Sequence, residues 1–169
     1  MEYVLLSLHV LAGIVFVGGS AVASSLFPRY APVATAPTTT ATPDAPPEHD
    51  RAVTAAAGSS GRDSAVAAAL HRITGGYAAF GLVVPLAGIV LAAVQGRMGE
   101  IWIIVAMILT AAAGLLLATQ IHPRQRQALD APGDVRPLRT LSMLAGIYNL
   151  LWAVVVVLMI VRPGDQTGA

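Results

Sequence analysis

At 169 residues, 56% apolar and only 11% charged, with a formal net charge of +1, the chain carries more apolar surface than a water-soluble core of this size can bury. That composition describes an integral membrane protein, with the lipid bilayer as its main partner and no nucleic-acid partner expected. All ten basic residues are arginine and cysteine is absent, which excludes lysine nucleophiles and Schiff bases, disulfides, thiolate metal sites and iron–sulfur clusters bound by this chain.

The first segment, 3–27, holds His9 and a few serines as its only polar side chains and is long enough for a hydrocarbon layer of about 30 Å with some tilt. Ala21-Val22-Ala23 imitates a signal-peptide cleavage site. Glu2 nevertheless stands where a basic n-region belongs, and the apolar run is long for an h-region, so a retained transmembrane helix is predicted. From 28 to 69 the sequence turns to Pro, Thr, Ala, Ser and Gly, too little apolar surface to offset its ordering entropy, and reads as a flexible loop. Asp63 is a reasonable N-cap for a helix that begins before the membrane. His49, inside this loop, is expected to be solvated and without a role.

A second span, 71–94, contains Pro85, where a kink without a break is expected because neighbouring helices re-satisfy the freed backbone groups. Gln95 to Glu100 is a short turn that makes spans two and three antiparallel neighbours. The third span, 101–121, starts at an interfacial aromatic, Trp102, and is followed by a polar connection from His122-Pro123-Arg124 to Thr140. The fourth span, 141–161, stops at Arg162-Pro163-Gly164. The fold class that results is all-α: a polytopic membrane four-helix bundle with up-down topology.

The first and third connections hold Arg29, Arg51, Arg62, Arg72, Arg124, Arg126, Arg136 and Arg139, while the opposite side holds only Arg97 and Arg162. Because basic residues near span ends stay on the cytoplasmic side, this asymmetry places the flexible loop inside the cell and both termini of a cell-membrane protein outside.

Histidine in hydrocarbon is a functional candidate by default, and neutral imidazole is a good axial ligand for haem or a ligand for copper. His9, Gly13, Phe16, Ser20, Ser24 and Phe27 fall on one helical stripe, expected to face the bundle, as are Ser142, Gly146, Asn149 and Ala153 on the fourth span. The third span offers Ala106, Thr110, Ala113, Gly114 and Leu117. At 1.5 Å per residue His9 lies roughly 9 Å inside the outer boundary, about level with Met107, so a cofactor bound by His9 could take Met107 as a second ligand. His71 and His122 sit together at the cytoplasmic ends of spans two and three, roughly 25 Å away, and are candidates to share a metal with each other but not with His9. Thr110 and Asn149 lie near the midplane and are expected to share an inter-helix hydrogen bond. Gly13, Ser20, Thr110, Gly146 and Asn149 are the candidates for close packing or for lining a ligand.

Leu8-His9-Val10-Leu11-Ala12 with Val17-Gly18-Gly19 resembles the opening helix of the copper-resistance D-type domain and of the four-helix membrane protoporphyrinogen oxidases, and Leu26-Phe27-Pro28-Arg29 is similar to the exit of the oxidases' first helix. Pro123-Arg124-Gln125-Arg126 and the terminal Val157 to Gly164 resemble an uncharacterised four-helix integral-membrane family. The resemblance implies a four-helix bundle whose helix-one histidine, His9 here, goes with haem binding; the oxidases' later-helix lysine has no counterpart in this chain. The function expected is haem or metal binding through His9 for redox or cofactor handling, with haem ahead of copper. The alternatives are an accessory subunit of a larger membrane complex or a homo-oligomer, and a small transporter.

Overall fold

A computed structural model describes residues 2–33, 63–80, 83–133 and 135–164. Residues 34–62, with His49, and residues 81–82, where the kink near Pro85 is expected to fall, lie outside them. Four helices are long and apolar enough to cross a membrane: α1 (Tyr3–Tyr30), α2 (Ser64–Val94), α3 (Ile101–Asp130) and α4 (Val135–Val161). The protein is an all-α, multi-pass membrane four-helix bundle. Around the bundle α1 neighbours α2 and α4, α3 neighbours α4, and the end of α3 packs on the start of α2.

The helices outrun the expected spans. Asp63 caps α2, accepting from the Ala65 N–H at 2.8 Å, so the helix starts well before His71. The polar run after Ile121, expected to be a connection, continues α3 to Asp130. Proline interrupts a helix because it lacks an N–H and its ring crowds the carbonyl four residues earlier. Here a wider π turn over Leu117–Ile121 precedes Pro123, closed by the His122 N–H on the Leu117 carbonyl, and the chain passes the proline without leaving the helix.

A second π turn, Gly13–Val17, lies inside α1. One extra residue rotates everything beyond it by about 100°. The predicted stripe is therefore split: Ser20, Ser24 and Phe27 are buried, whereas His9, Gly13 and Phe16 are half-exposed, with His9 and Phe16 against α2. Phe16 meets Tyr77 of α2 edge to face, with ring centroids 5.9 Å apart.

The core lies toward the end where the first and third connections emerge, around Phe27, Leu117, Ile121, Leu138, Leu141 and Tyr148. A backbone bridge between Val33 and Gly133 ties those two connections together. Where α1 crosses α4, the Tyr148 hydroxyl is 2.7 Å from Ser20 Oγ, and Ser20 donates to the Val17 carbonyl at 2.9 Å. Since the serine proton is committed, Tyr148 is the donor. At the opposite end Arg97 donates to Glu100 at 2.6 Å, the Trp102 indole donates to the same carboxylate, and Arg97 and Arg162 each hold a guanidinium 5.8 Å from the Trp102 ring centre.

Ser20→Ala should cost about 0.6 kcal/mol, the mean for inter-helix hydrogen bonds in a bilayer protein. Phe27→Ala, which empties a fully buried site, should cost about 3 kcal/mol or more. Reversible unfolding in mixed micelles or bicelles checks both, and equal losses would contradict this division of roles.

Candidate functional site

His9 sits on the first turns of α1 with its ring edge against α2. A Cβ added at Gly88 would fall 3.1 Å from His9 Cε1 and 3.6 Å from Nδ1, so the missing side chain is what admits the imidazole. The backbone of Val84, one helical turn before Gly88, lies close enough to interact electrostatically with the ring. Nδ1 is buried and has no hydrogen-bond partner. In either neutral tautomer Nδ1 is then a donor or an acceptor facing nothing. In a bilayer interior, where no water completes the shell, such an atom is costly. Met107 is 37% exposed on the outer surface of α3, and the groups against the His9 ring are those of α2.

His71 and His122 do come together. Their rings stack with centroids 4.4 Å apart and planes 21° apart, one imidazole from α2 and one from α3. The pairing rests on two residues that the sequence reading passed over. Gly75 leaves the space that His122 occupies, since a Cβ there would lie 2.8 Å from Nε2. Gln125, wholly buried, brings Oε1 to 3.4 Å from His71 Nδ1 while its Nε2 has no partner. The available signal was spacing: Gln125 lies three residues after His122, on the same helix face.

Among the remaining candidates the structure brings Ser20 to Tyr148 and Asn149 to Ser25, whose Oγ accepts from Nδ2 at 2.9 Å. The expected bond between Asn149 and Thr110 is not made: Asn149 Oδ1 is buried without a partner. The inward face of α4 is also corrected. Leu138, Leu141, Ala145, Tyr148 and Val155 are buried, whereas Ser142, Gly146 and Ala153 are exposed and Asn149 is half-buried beside a groove lined by Ala21, Val22, Ser25 and Leu26. Depth along the membrane normal follows from residue counting, but the direction a residue faces does not. Gly13 has open space where a side chain would stand.

Comparison with known protein families, with curated proteins and with solved structures finds no match. The class that fold and composition define is a small multi-pass, all-α membrane protein.

Gly88→Ala asks the His9 ring to shift by a few tenths of an ångström and should be tolerated. Gly88→Leu should expel the ring from α2. Carbethoxylation followed by mass spectrometry reads this directly: His9 becomes reactive in Gly88→Leu but stays protected in wild type and Gly88→Ala. Equal protection in all three would contradict the placement.

Proposed function

We propose that this is a small cell-membrane protein, both termini outside the cytoplasm, in which the His9 imidazole ligates a haem or a metal ion for redox or cofactor handling. The observation that carries the reading is the buried, partnerless Nδ1 of His9. Metal-ligating histidines commonly donate their other ring N–H to a backbone carbonyl, which fixes the tautomer and the ring orientation, and the backbone of Val84 lies beside the His9 ring. Gly88 gives the ring clearance. When bound, such a group supplies one-electron chemistry that no side chain of this chain provides.

The orientation rests on the arginines. Among the described residues, Arg29, Arg72, Arg124, Arg126, Arg136 and Arg139 gather at the end of the bundle where the first and third connections emerge. Arg97 and Arg162 are at the other end, both against Trp102. Basic residues flanking short connections favour the cytoplasmic side.

A second reading, an accessory subunit or homo-oligomer, is favoured by the outward stripe of Ser142, Gly146 and Ala153 on α4, since small residues on a lipid-facing surface admit another helix closely. Crosslinking in native membranes tests it, and a chain that runs alone counts against it.

The cofactor reading is tested on untagged protein purified from its own membranes, by reduced-minus-oxidised spectra together with metal analysis. Wild type and His71→Ala should carry the cofactor, and His9→Ala should lose it. Wild-type protein free of haem and metal, or a His9→Ala protein that keeps its cofactor, overturns the reading.

A further inference from the structure

The second imidazole site lies at the arginine-rich end, roughly 25 Å from His9 along the membrane normal, and the His9 reading does not use it. Ordinary helix packing leaves three of its features unexplained. Two imidazoles from different helices are stacked at 4.4 Å, although apolar rings would fill the same volume without any polar group to desolvate. A glutamine with no exposed surface turns one end of its amide to His71 and leaves the other end unbonded. Gly75 opens α2 where His122 lies. Thr74 beside it takes no part, since its hydroxyl is committed to the Leu70 carbonyl at 2.9 Å.

We propose that His71 and His122 form an open, exchangeable binding site for a divalent transition-metal ion of borderline character, zinc, nickel or copper, and that Gln125 is the residue that positions His71. With Gln125 Oε1 accepting, His71 carries its proton on Nδ1 and presents the Nε2 lone pair, the arrangement by which a neighbouring carbonyl prepares a histidine for a metal. Metal–nitrogen bonds of about 2.0–2.1 Å at a tetrahedral angle place two imidazole centres about 5 Å apart. The pair at 4.4 Å therefore has to open by roughly 1 Å or less. One ring must also swing out of the stack, because lone pairs lie in the ring planes and nearly parallel planes do not converge on one ion. Both rings are partly exposed, so the swing leaves the packed core intact.

Among the described residues no group of three or more His, Cys, Asp or Glu side chains surrounds this or any other point. The protein thus supplies two strong ligands, and water or a small anion fills the remaining positions, as in sites that exchange their ion and unlike closed structural ones. The cationic surroundings fit that division. Arg124 is tied to Gln120 and Arg126 faces Asp130 at 3.7 Å, and their charge favours an anionic co-ligand while holding the affinity for the cation down. Paired imidazoles prefer copper(II) over zinc and nickel by the usual order of divalent affinities.

Untagged full-length protein in nanodiscs, titrated with Cu2+ as the spectroscopic probe and Zn2+ as competitor, tests the proposal. Electron paramagnetic resonance should show an ion with two nitrogen couplings, distinct from an ion held by His9 through a single nitrogen. His71→Ala and His122→Ala should each reduce this to one nitrogen and weaken binding at least tenfold. Gln125→Leu should keep two nitrogens while weakening binding about 10- to 100-fold, with Gln125→Glu restoring it, a pattern that loss of packing alone would not produce. His9→Ala and His49→Ala should leave the signal unchanged, so failure at His9 and failure here are separate results. Should the alanine variants not fold, wild-type protein answers by carbethoxylation: Zn2+ should protect His71 and His122 but leave His9 unaffected. A wild-type protein lacking the two-nitrogen signal, a His71→Ala/His122→Ala double variant retaining it, or no zinc protection overturns the proposal.

Discussion

The relay from the Tyr148 hydroxyl through Ser20 to the Val17 carbonyl is the interaction on which the arrangement of the helices turns. Lipid tails are as apolar as leucine, so helices in a bilayer gain little by merely burying hydrocarbon against each other. Direction must come from close packing and from the few polar groups that cannot be left facing lipid. Ser20 and Tyr148 are buried, and the Tyr148 hydroxyl would lose its acceptor if α1 or α4 rotated away from the other, while Ser20 keeps its bond to Val17. Once that crossing is set, Asn149 is held over Ser25, the small residues of α4 point outward, and α3 closes against the remaining side of α4.

The π turn in α1 decides what happens at His9. Eleven residues separate His9 from Ser20, which in a regular helix puts them on the same face. The added residue breaks that alignment, so Ser20 serves the contact with α4 while His9 serves the contact with α2. A single segment thereby satisfies two neighbours at different heights. The turn in α3 does different work: it carries the helix past Pro123 and places His122 and Gln125 on regular helix, where both can meet α2.

Helix number, helix order and the Asp63 cap were legible because they depend on runs of apolar residues and on local hydrogen bonding, both written along the chain. The proximity of His71 and His122 was legible for a similar reason, since counting residues gives depth and the short connection makes α2 and α3 neighbours. The inward face of α4 was not. In a soluble protein the apolar stripe marks the inside, but on α4 Leu141 and Leu150 are equally apolar and one is buried while the other faces outward. Small residues were read as inward-facing on α4, yet Gly146 and Ala153 are exposed and Tyr148 and Val155 fill the inside. Gln125 escaped notice because a glutamine among arginines reads as a solvated face, and only the continuation of α3 beyond Ile121 buries it.

The two imidazole sites also differ in what the bundle around them can admit. From Tyr3 through Gly19, α1 contributes no buried residue, whereas Ser20, Ala23, Ser24, Phe27 and Pro28 are all buried farther along. His9 therefore lies in the loosely packed half, where a large flat ligand can part α1 from its neighbours without dismantling the core. His71, His122 and Gln125 lie toward the densely packed half that holds Phe27, Leu117 and Ile121, where separating helices forfeits several buried side chains at once. Packing of that density resists a macrocycle but accepts an ion that needs only a small opening of two rings. The same scarcity of polar residues that lets the chain live in lipid makes each site depend on one or two side chains. Under the two proposals, the packing around each histidine sets the size of the ligand it would hold.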